Sequence, residues 1–343
     1  MRKIESISII SAFHNENKNL EILYEKLINT SITLLNKHQD LEFIELILID
    51  DGSDDNSLKI LLDSVNNFPI KNSEIINDYK LNQILLKIKL IIIRLKENFG
   101  QSYAISTGFQ ISKGDIIITI DSDLQNDPTD IIKLFENFKN NSSKIEVLSG
   151  YRKNRDEGFR VIVSIFGNKL IQFISGYNIK DVGCSLKAYT KESIKNLKLP
   201  YGYHRFLPII SFANKNKIEN IEVNFNNRIF GKSHYGYSRI FWLLARLLTL
   251  YIIKQPDFHK ISKKLLYLKV MNTFIFIAII ISLLFKISYN LILIPLFVYN
   301  LFTIKEIKNF INFQNEDLLE NAEIVIESIL IELIKNYQKI TIK

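Results

Sequence analysis

The feature that most constrains this chain is a series of short, almost uninterrupted apolar runs, each broken off by polar or acidic residues. Ile7–Phe13, Phe43–Ile49, Ile88–Leu95 and Asp115–Ile120 are rich in β-branched residues and show no alternation of apolar and polar positions. Strands of that kind are covered on both faces. Between them, Asn19–Asn36, Asp55–Asn66 and Gln101–Ser112 carry helical patterns. Strand–helix–strand repetition predicts an α/β fold with a mainly parallel sheet and flanking helices. Ligands of such sheets bind beyond the carboxyl ends of the strands, so the residues following each apolar run are the ones to read for chemistry.

Three of those ends are acidic. The run Ile116–Ile120 leads into Asp121-Ser122-Asp123-Leu124-Gln125. Two carboxylates one residue apart at a strand end can share a hard divalent cation, magnesium or manganese, which keeps coordination positions for phosphate oxygens. A solvated turn is the better account of an isolated pair; the position of this one after a buried strand favours the ligand reading. Ile44–Ile49 ends in Asp50-Asp51-Gly52-Ser53, where one carboxylate can accept a nucleobase N–H and Ser53 or Asp54 can cap the next helix. Ile7–Phe13 ends in His14-Asn15-Glu16, polar groups suited to a ribose or base. The segment Phe68–Gln83 reads as a polar insertion.

The chain has 343 residues, 47% of them hydrophobic and 23% charged, enough to bury a core and too apolar for disorder. Its single cysteine, Cys184, excludes an internal disulfide and a thiolate metal cluster, and reads as a small packed side chain. The net charge of +8 comes without a compact basic block or finger spacing, so the expected partners are phosphates or an anionic membrane, not nucleic acid. The N-terminus runs straight into a strand and predicts a cytoplasmic start.

The character changes after Tyr237. Ser238–Lys254 is apolar almost all round apart from Arg239 and Arg246, and Val270–Phe285 and Ile287–Ile304 carry no charge. At 1.5 Å per residue the latter two span about 24 and 27 Å, short of a roughly 30 Å hydrocarbon core but within reach if Lys269, Lys286 and Lys305 snorkel. A transmembrane helical hairpin over 265–305 is expected. Lysines dominate on both flanks, which puts both ends in the cytoplasm. Asn315–Lys335 predicts an acidic amphipathic helix.

Read together, SAFHNENKNL, LILIDDGSDDNS and ENFGQSYAISTGFQISKGDIIITIDSDLQNDP resemble family 2 glycosyltransferases of the GT-A fold. The likeness is greatest to the branch of dolichyl-phosphate mannose synthase and bacterial polyprenyl-phosphate glycosyltransferases. SGYR (Ser149–Arg152), DVGCSLKAY (Asp181–Tyr189), HRFLP (His204–Pro208) and GKSHYGYSR (Gly231–Arg239) extend it over about 230 residues. The resemblance implies a GT-A catalytic domain over 1–235, juxtamembrane amphipathic helices over 236–264, the hairpin over 265–305, and a cytoplasmic helical tail over 306–343. It assigns Asp121, Asp123 and Gln125 to the metal and diphosphate, and Asp51, with Asp50 beside it and Glu16, to the nucleotide pocket. Arg152, Arg205 and Lys232 fall at basic positions around phosphates, and Asp181 and Lys187 in the acceptor segment. Three positions depart from the pattern: Ala12 stands where the family usually has proline, Asp127-Pro128 replaces a Pro-Pro pair, and Cys184 stands where some relatives have a further aspartate, which weakens the case for a dedicated catalytic base.

The implied activity is metal-dependent, inverting transfer of a sugar from a UDP- or GDP-sugar to a polyprenyl phosphate. The enzyme would be a multi-pass protein of the cytoplasmic membrane, with room for homo-oligomers. A phosphate acceptor is already an oxyanion and needs cationic positioning; a hydroxyl acceptor needs a general base, with Asp181 first in line. Direct transfer to a hydroxyl of a cell-envelope glycan or lipid is therefore the alternative. A catalytically inactive, membrane-anchored interaction protein is the third reading.

Overall fold

A computed structural model describes residues 3–66, 78–152, 159–227, 246, 268–277, 279, 290–313 and 317–327. Its centre is an eight-stranded sheet: β1 (Ser6–Phe13), β2 (Phe43–Asp50), β3 (Ile88–Leu95), β4 (Ile116–Thr119), β5 (Val147–Arg152), β6 (Lys187–Thr190), β7 (Ile218–Val223) and β8 (Ala322–Glu327). The order is β7-β5-β6-β4-β1-β2-β3-β8. The pairs β1–β2, β1–β4, β2–β3 and β5–β7 are parallel, whereas β6 and β8 run against their neighbours. The mainly parallel α/β sheet expected from the four apolar runs is present, and all four become strands within a residue or two of their expected bounds.

Strand β1 explains the long apolar runs. Every one of its residues is buried, because it is paired on both edges and covered on both faces. The helices α1 (Leu20–Lys37), α2 (Ser57–Asn66), α3 (Asp78–Leu86) and α4 (Gln101–Ile111) supply those covers. Helix α4 lies close on the sheet at Gly108, where a Cβ would come within 2.7 Å of Ile10 Cγ2 and 2.9 Å of Ile49 Cδ1. That approach brings the first turn of α4 to the carboxyl ends of β1, β2 and β4.

Chain order reverses between β1 and β4: β2 and β3 lie on one side of β1, and β4 on the other. The crevice outside the carboxyl ends at such a reversal is where α/β sheets bind ligands. Register puts Phe13 level with Asp50 and Ile10 level with Thr119, so the three acidic loops leave the sheet at one edge. Arg152 ends β5 and Phe225 follows β7 at this same edge, and Asp181–Leu186 leads into the antiparallel β6 there.

The C-terminal expectations need correction. Of the helix predicted over Asn315–Lys335, the described part takes another form: Leu318–Asn321 forms a 3-10 turn and Ala322–Glu327 pairs with β3 as the edge strand β8, while residues 315–316 and 328–335 lie outside the described residues. Three consecutive β-branched residues, Ile324, Val325 and Ile326, override the weaker acidic amphipathic pattern. Helix is present at both arms of the expected hairpin, over residues 268–277 and over Asn290–Phe313, and Phe276 packs on Phe297 with ring centroids 5.5 Å apart. Among the described residues no helix is long and apolar enough to cross a membrane. Apart from Arg246, the segment 236–264 lies outside the described residues. The Phe68–Gln83 insertion overlaps α3.

Gly108→Val is expected to lower stability by about 1–3 kcal/mol, since Ile10 Cγ2 sits on a β-branched carbon that cannot swing away. Chemical denaturation of the purified chain measures this.

Candidate active site

Asp121 follows β4 and is half-buried; Asp123, two residues on, is 7% exposed. Gln101 Nε2 donates to Asp121 Oδ1 at 2.6 Å, and the Asp121 amide donates to Ser185 Oγ at 3.1 Å. Burial pushes the Asp121 carboxyl above its ordinary range, and the neighbouring Asp123 charge adds to the shift. Asp123 Oδ1 accepts the Gln125 amide at 3.1 Å. The turn between them puts Leu124 in the left-handed region at φ 60, a conformation that disfavours a branched side chain and here brings the two carboxylates around one bend. The Gln125 side chain has no hydrogen-bond partner among the described residues, whereas its main-chain carbonyl accepts the Asn226 amide at 2.8 Å. Ser185 Oγ also donates to Asn126 Oδ1 at 3.1 Å, so the segment before β6 braces this acidic turn.

Asp50 and Asp51, adjacent in sequence, do different jobs. Asp50 is fully buried; its Oδ1 accepts the Ser53 amide at 2.9 Å, and Oδ2 lies 3.7 Å from Arg94 Nε. It shapes the turn. Asp51 Oδ1 accepts two amides, from Phe99 at 2.9 Å and Gly100 at 3.2 Å, and Oδ2 has no hydrogen-bond partner among the described residues. Burial pushes its carboxyl up to about 6 against those two bonds. Gly52, at φ 62, presses on the same strand-to-helix turn: a Cβ there would fall 2.3 Å from the Glu97 carbonyl carbon. Glu16 stands beside this turn, with its amide on Ser57 Oγ at 2.8 Å and its carboxylate taking Asn19 Nδ2 at 2.6 Å.

The basic candidates fare unequally. Arg152 Nε and Nη2 grip Asp181 Oδ2 and Oδ1 at 2.6 and 2.9 Å, and the guanidinium lies 5.0 Å from the Phe225 ring centroid. Asp181 also accepts the Gly183 amide, so both of its oxygens are engaged. Lys187 is 2% exposed and donates to the Val182 carbonyl at 3.1 Å; burial pulls its ammonium down, while Asp181 and Asp121 oppose that. It lies beneath the loops instead of in the open site. Arg205 is half-buried on the 3-10 turn His204–Phe206, which docks on α4 through the His204 amide to Ser102 Oγ at 3.1 Å. Lys232 lies outside the described residues. Cys184 is packed and 1% exposed, its thiol raised to about 11 by burial.

Sequence reading missed the part played by Phe99–Ser102. Only the glycine in Asn98-Phe99-Gly100-Gln101 hinted at it: Gly100 sits at φ 91, and a Cβ there would meet the Tyr201 ring at 2.7 Å. These four residues supply donors to Asp51 and Asp121 and bond to the His204 turn. Among the described residues no three acidic, histidine or cysteine side chains converge to hold a metal, so a cation here would rest on two carboxylates and non-protein oxygens.

The model of Glycosyl transferase family 2 matches residues 8–198, more than half of the chain. Dodecaprenyl-phosphate galacturonate synthase of Rhizobium johnstonii is 33% identical over 247 residues, covering 71% of this chain and 65% of that protein. Undecaprenyl-phosphate 4-deoxy-4-formamido-L-arabinose transferase of Proteus mirabilis is 32% identical over 248 residues, covering 72% and 68%. The chain thus spans about two thirds of the length of these relatives. Among solved structures, glucosyl-3-phosphoglycerate synthase from Mycobacterium tuberculosis with Mn2+, UDP and phosphoglyceric acid superposes with a TM-score of 0.49 at 17% identity, covering 74% of this chain and 80% of that one. On the strength of the family match and of relatives above 30% identity, the chain belongs to glycosyl transferase family 2.

Proposed function

We propose that this glycosyltransferase moves a sugar from a nucleotide diphosphate donor to a polyprenyl phosphate, with inversion at the anomeric carbon. The observation that carries the choice of acceptor is the state of Asp181. A hydroxyl acceptor needs a carboxylate free to take its proton, and the first candidate for that base is held on both oxygens by Arg152 and Gly183. A phosphate acceptor needs no base. It needs a fixed cation, and the same ion pair orients Arg152 at the carboxyl end of β5. Arg205 and Lys232 are proposed to join it around phosphates. The similarity to a dodecaprenyl-phosphate galacturonate synthase and an undecaprenyl-phosphate sugar transferase supports this acceptor class.

Asp51 is proposed to take a base N–H on its free Oδ2, with Glu16 beside it and Asp50 holding the turn. Asp121 and Asp123 would hold magnesium or manganese, with the Gln125 side chain as a further oxygen. The donor set fits: two hard carboxylates in one bend, where burial and the Asp123 charge raise the cost of charging Asp121. A bound cation there supplies Lewis-acid neutralisation of the diphosphate leaving group.

Membrane attachment through residues 265–305 is part of the proposal, and with it a multi-pass placement with the catalytic residues on the cytoplasmic side. Val270, Phe274, Phe276, Ile277, Ile294 and Leu296 are all exposed by more than two fifths of their surface. So many large apolar side chains on two helices that pack together mark a lipid- or protein-facing surface.

Purified full chain, incubated with Mn2+ or Mg2+, undecaprenyl phosphate and labelled UDP- or GDP-sugars, is expected to yield an organic-extractable sugar lipid. Asp123→Ala should reduce that yield by at least about 100-fold. Metal-dependent donor turnover with no lipid product, or transfer to a hydroxyl glycan acceptor instead, would overturn the choice of acceptor.

Asp51→Asn separates stability from donor binding. The folded chain holds the Asp51 proton up to about pH 6, whereas the ordinary carboxyl releases it near 3.8. The folded state therefore binds more protons in that window, and stability falls as pH rises through it, then levels off. Asparagine keeps an acceptor for Phe99 and Gly100 without the buried charge. Its melting temperature is expected to exceed that of the wild type near neutral pH and to match it at about pH 4, while donor affinity drops about 10-fold or more. Thermal melts at both pH values and nucleotide titration read the two effects.

A further inference from the structure

We infer that Gln101 is a positioning residue that presets Asp121 for the cation, and that through it the turn holding Asp51 also governs metal affinity. The inference rests on the proposal that Asp121 and Asp123 are cation ligands; it adds a residue that neither the family match nor the relatives' names assign.

Three observations carry it. First, Gln101 Nε2 is 2.6 Å from Asp121 Oδ1, and the Gln101 side chain makes no other hydrogen bond among the described residues. The amide's one visible task is to hold that carboxylate. Second, Gln101 is itself placed with little freedom. It opens α4, which Gly108 lets settle against Ile10 and Ile49; the preceding Gly100 lies under the Tyr201 ring; and the following Ser102 bonds the His204 amide and ring at 3.1 Å each. A side chain launched from so fixed a backbone can select one carboxylate rotamer. Third, the residues just before it, Phe99 and Gly100, give their amides to Asp51 Oδ1. Three successive residues therefore tie the end of β2 to the end of β4, and a shift at either carboxylate is felt at the other.

The physical role is that of an outer-shell partner. An amide that donates to one oxygen of a ligating carboxylate fixes its orientation and leaves the other oxygen directed at the ion. Loss of such partners typically costs 10–100-fold in metal affinity. Reciprocity follows: if base binding at Asp51 steadies Phe99–Gln101, it tightens the cation, and the cation tightens the nucleotide by the same factor.

The test is direct Mn2+ binding, followed by the loss of the free-ion electron paramagnetic resonance signal, on the detergent-purified full chain with and without UDP and GDP. Gln101→Met keeps the volume and removes the amide; Gln101→Asn keeps the amide one methylene short; Asp121→Asn is the control for the site. Both Gln101 variants are expected to bind Mn2+ about 10-fold or more weakly, to lose the extra tightening that nucleotide confers, and to melt within a few degrees of the wild type. Unchanged Mn2+ affinity in either folded Gln101 variant, with binding lost in Asp121→Asn, overturns the role of Gln101 and leaves the cation site standing. Unchanged binding in Asp121→Asn overturns the cation site and the inference with it.

Discussion

Everything at the site depends on β1 being paired in parallel on both edges. A strand so placed has no solvated face, which is why Ser6–Phe13 is buried throughout and why its polar residues are small serines. The parallel register levels Phe13 with Asp50 and sets β4 beside β1 on the other edge. Three loops must then emerge together, and chain order reverses where they do. A one-residue slip in any of these pairings would turn every inward side chain outward and separate the loops.

That convergence creates an electrostatic problem. Asp50, Asp51 and Asp123 are buried and Asp121 half-buried at one sheet edge, and burial, with a neighbouring carboxylate adding to it, drives Asp51 and Asp121 above their ordinary range. The fold answers mainly with neutral donors: the Ser53 amide for Asp50, two amides for Asp51, the Gln101 amide for Asp121 and the Gln125 amide for Asp123. Neutral donors satisfy carboxylate lone pairs without cancelling charge, so the edge as a whole favours a cation or a donor N–H. Asp181 presents the opposite case. Its charge is met in full by a two-point Arg152 pair, which suits a residue that orients a cation and does not suit one that must take up a proton.

Much of this was legible in the sequence because it depends on patterns local in the chain. The apolar runs named β1 to β4, and the acidic residues after them named the site edge. Other parts depend on tertiary context. Residues 315–335 read as an acidic helix because charge dominates the window, yet the short Ala322–Glu327 run finds a free edge at β3 and pairs there. Gln101 carries no signal of its own: a glutamine at a helix start is ordinary until Gly100 and Gly108 fix where that helix begins. Lys187 read as part of the acceptor segment, but it is buried at the start of the short β6, with its ammonium on the Val182 carbonyl. The pairing of Arg152 with Asp181 links residues 29 positions apart and could not be read from spacing.

The return of the chain at β8 shows why a division by sequence order fails here. The chain leaves the sheet after β7 and comes back nearly a hundred residues later, so that the compact unit holding the sheet includes residues from near both ends. The returning segment does more than cover an open edge. Asn321 Nδ2 donates to Tyr103 Oη at 3.1 Å, and that hydroxyl lies 3.3 Å from the Leu318 carbonyl. Tyr103 stacks on Phe99 with centroids 4.6 Å apart, and Phe99 is the residue whose amide Asp51 takes. Lys96 anchors the same return through its amide on the Asn321 carbonyl and its ammonium on the Glu320 carbonyl. A continuous set of contacts therefore runs from the edge strand, through one aromatic pair, to the turn that holds Asp51 and Asp121. An edge strand pays its ordering entropy whenever it docks. Part of what offsets that cost here is spent on the turn that sets the site, which makes the late segment as much a component of the candidate active site as the acidic loops themselves.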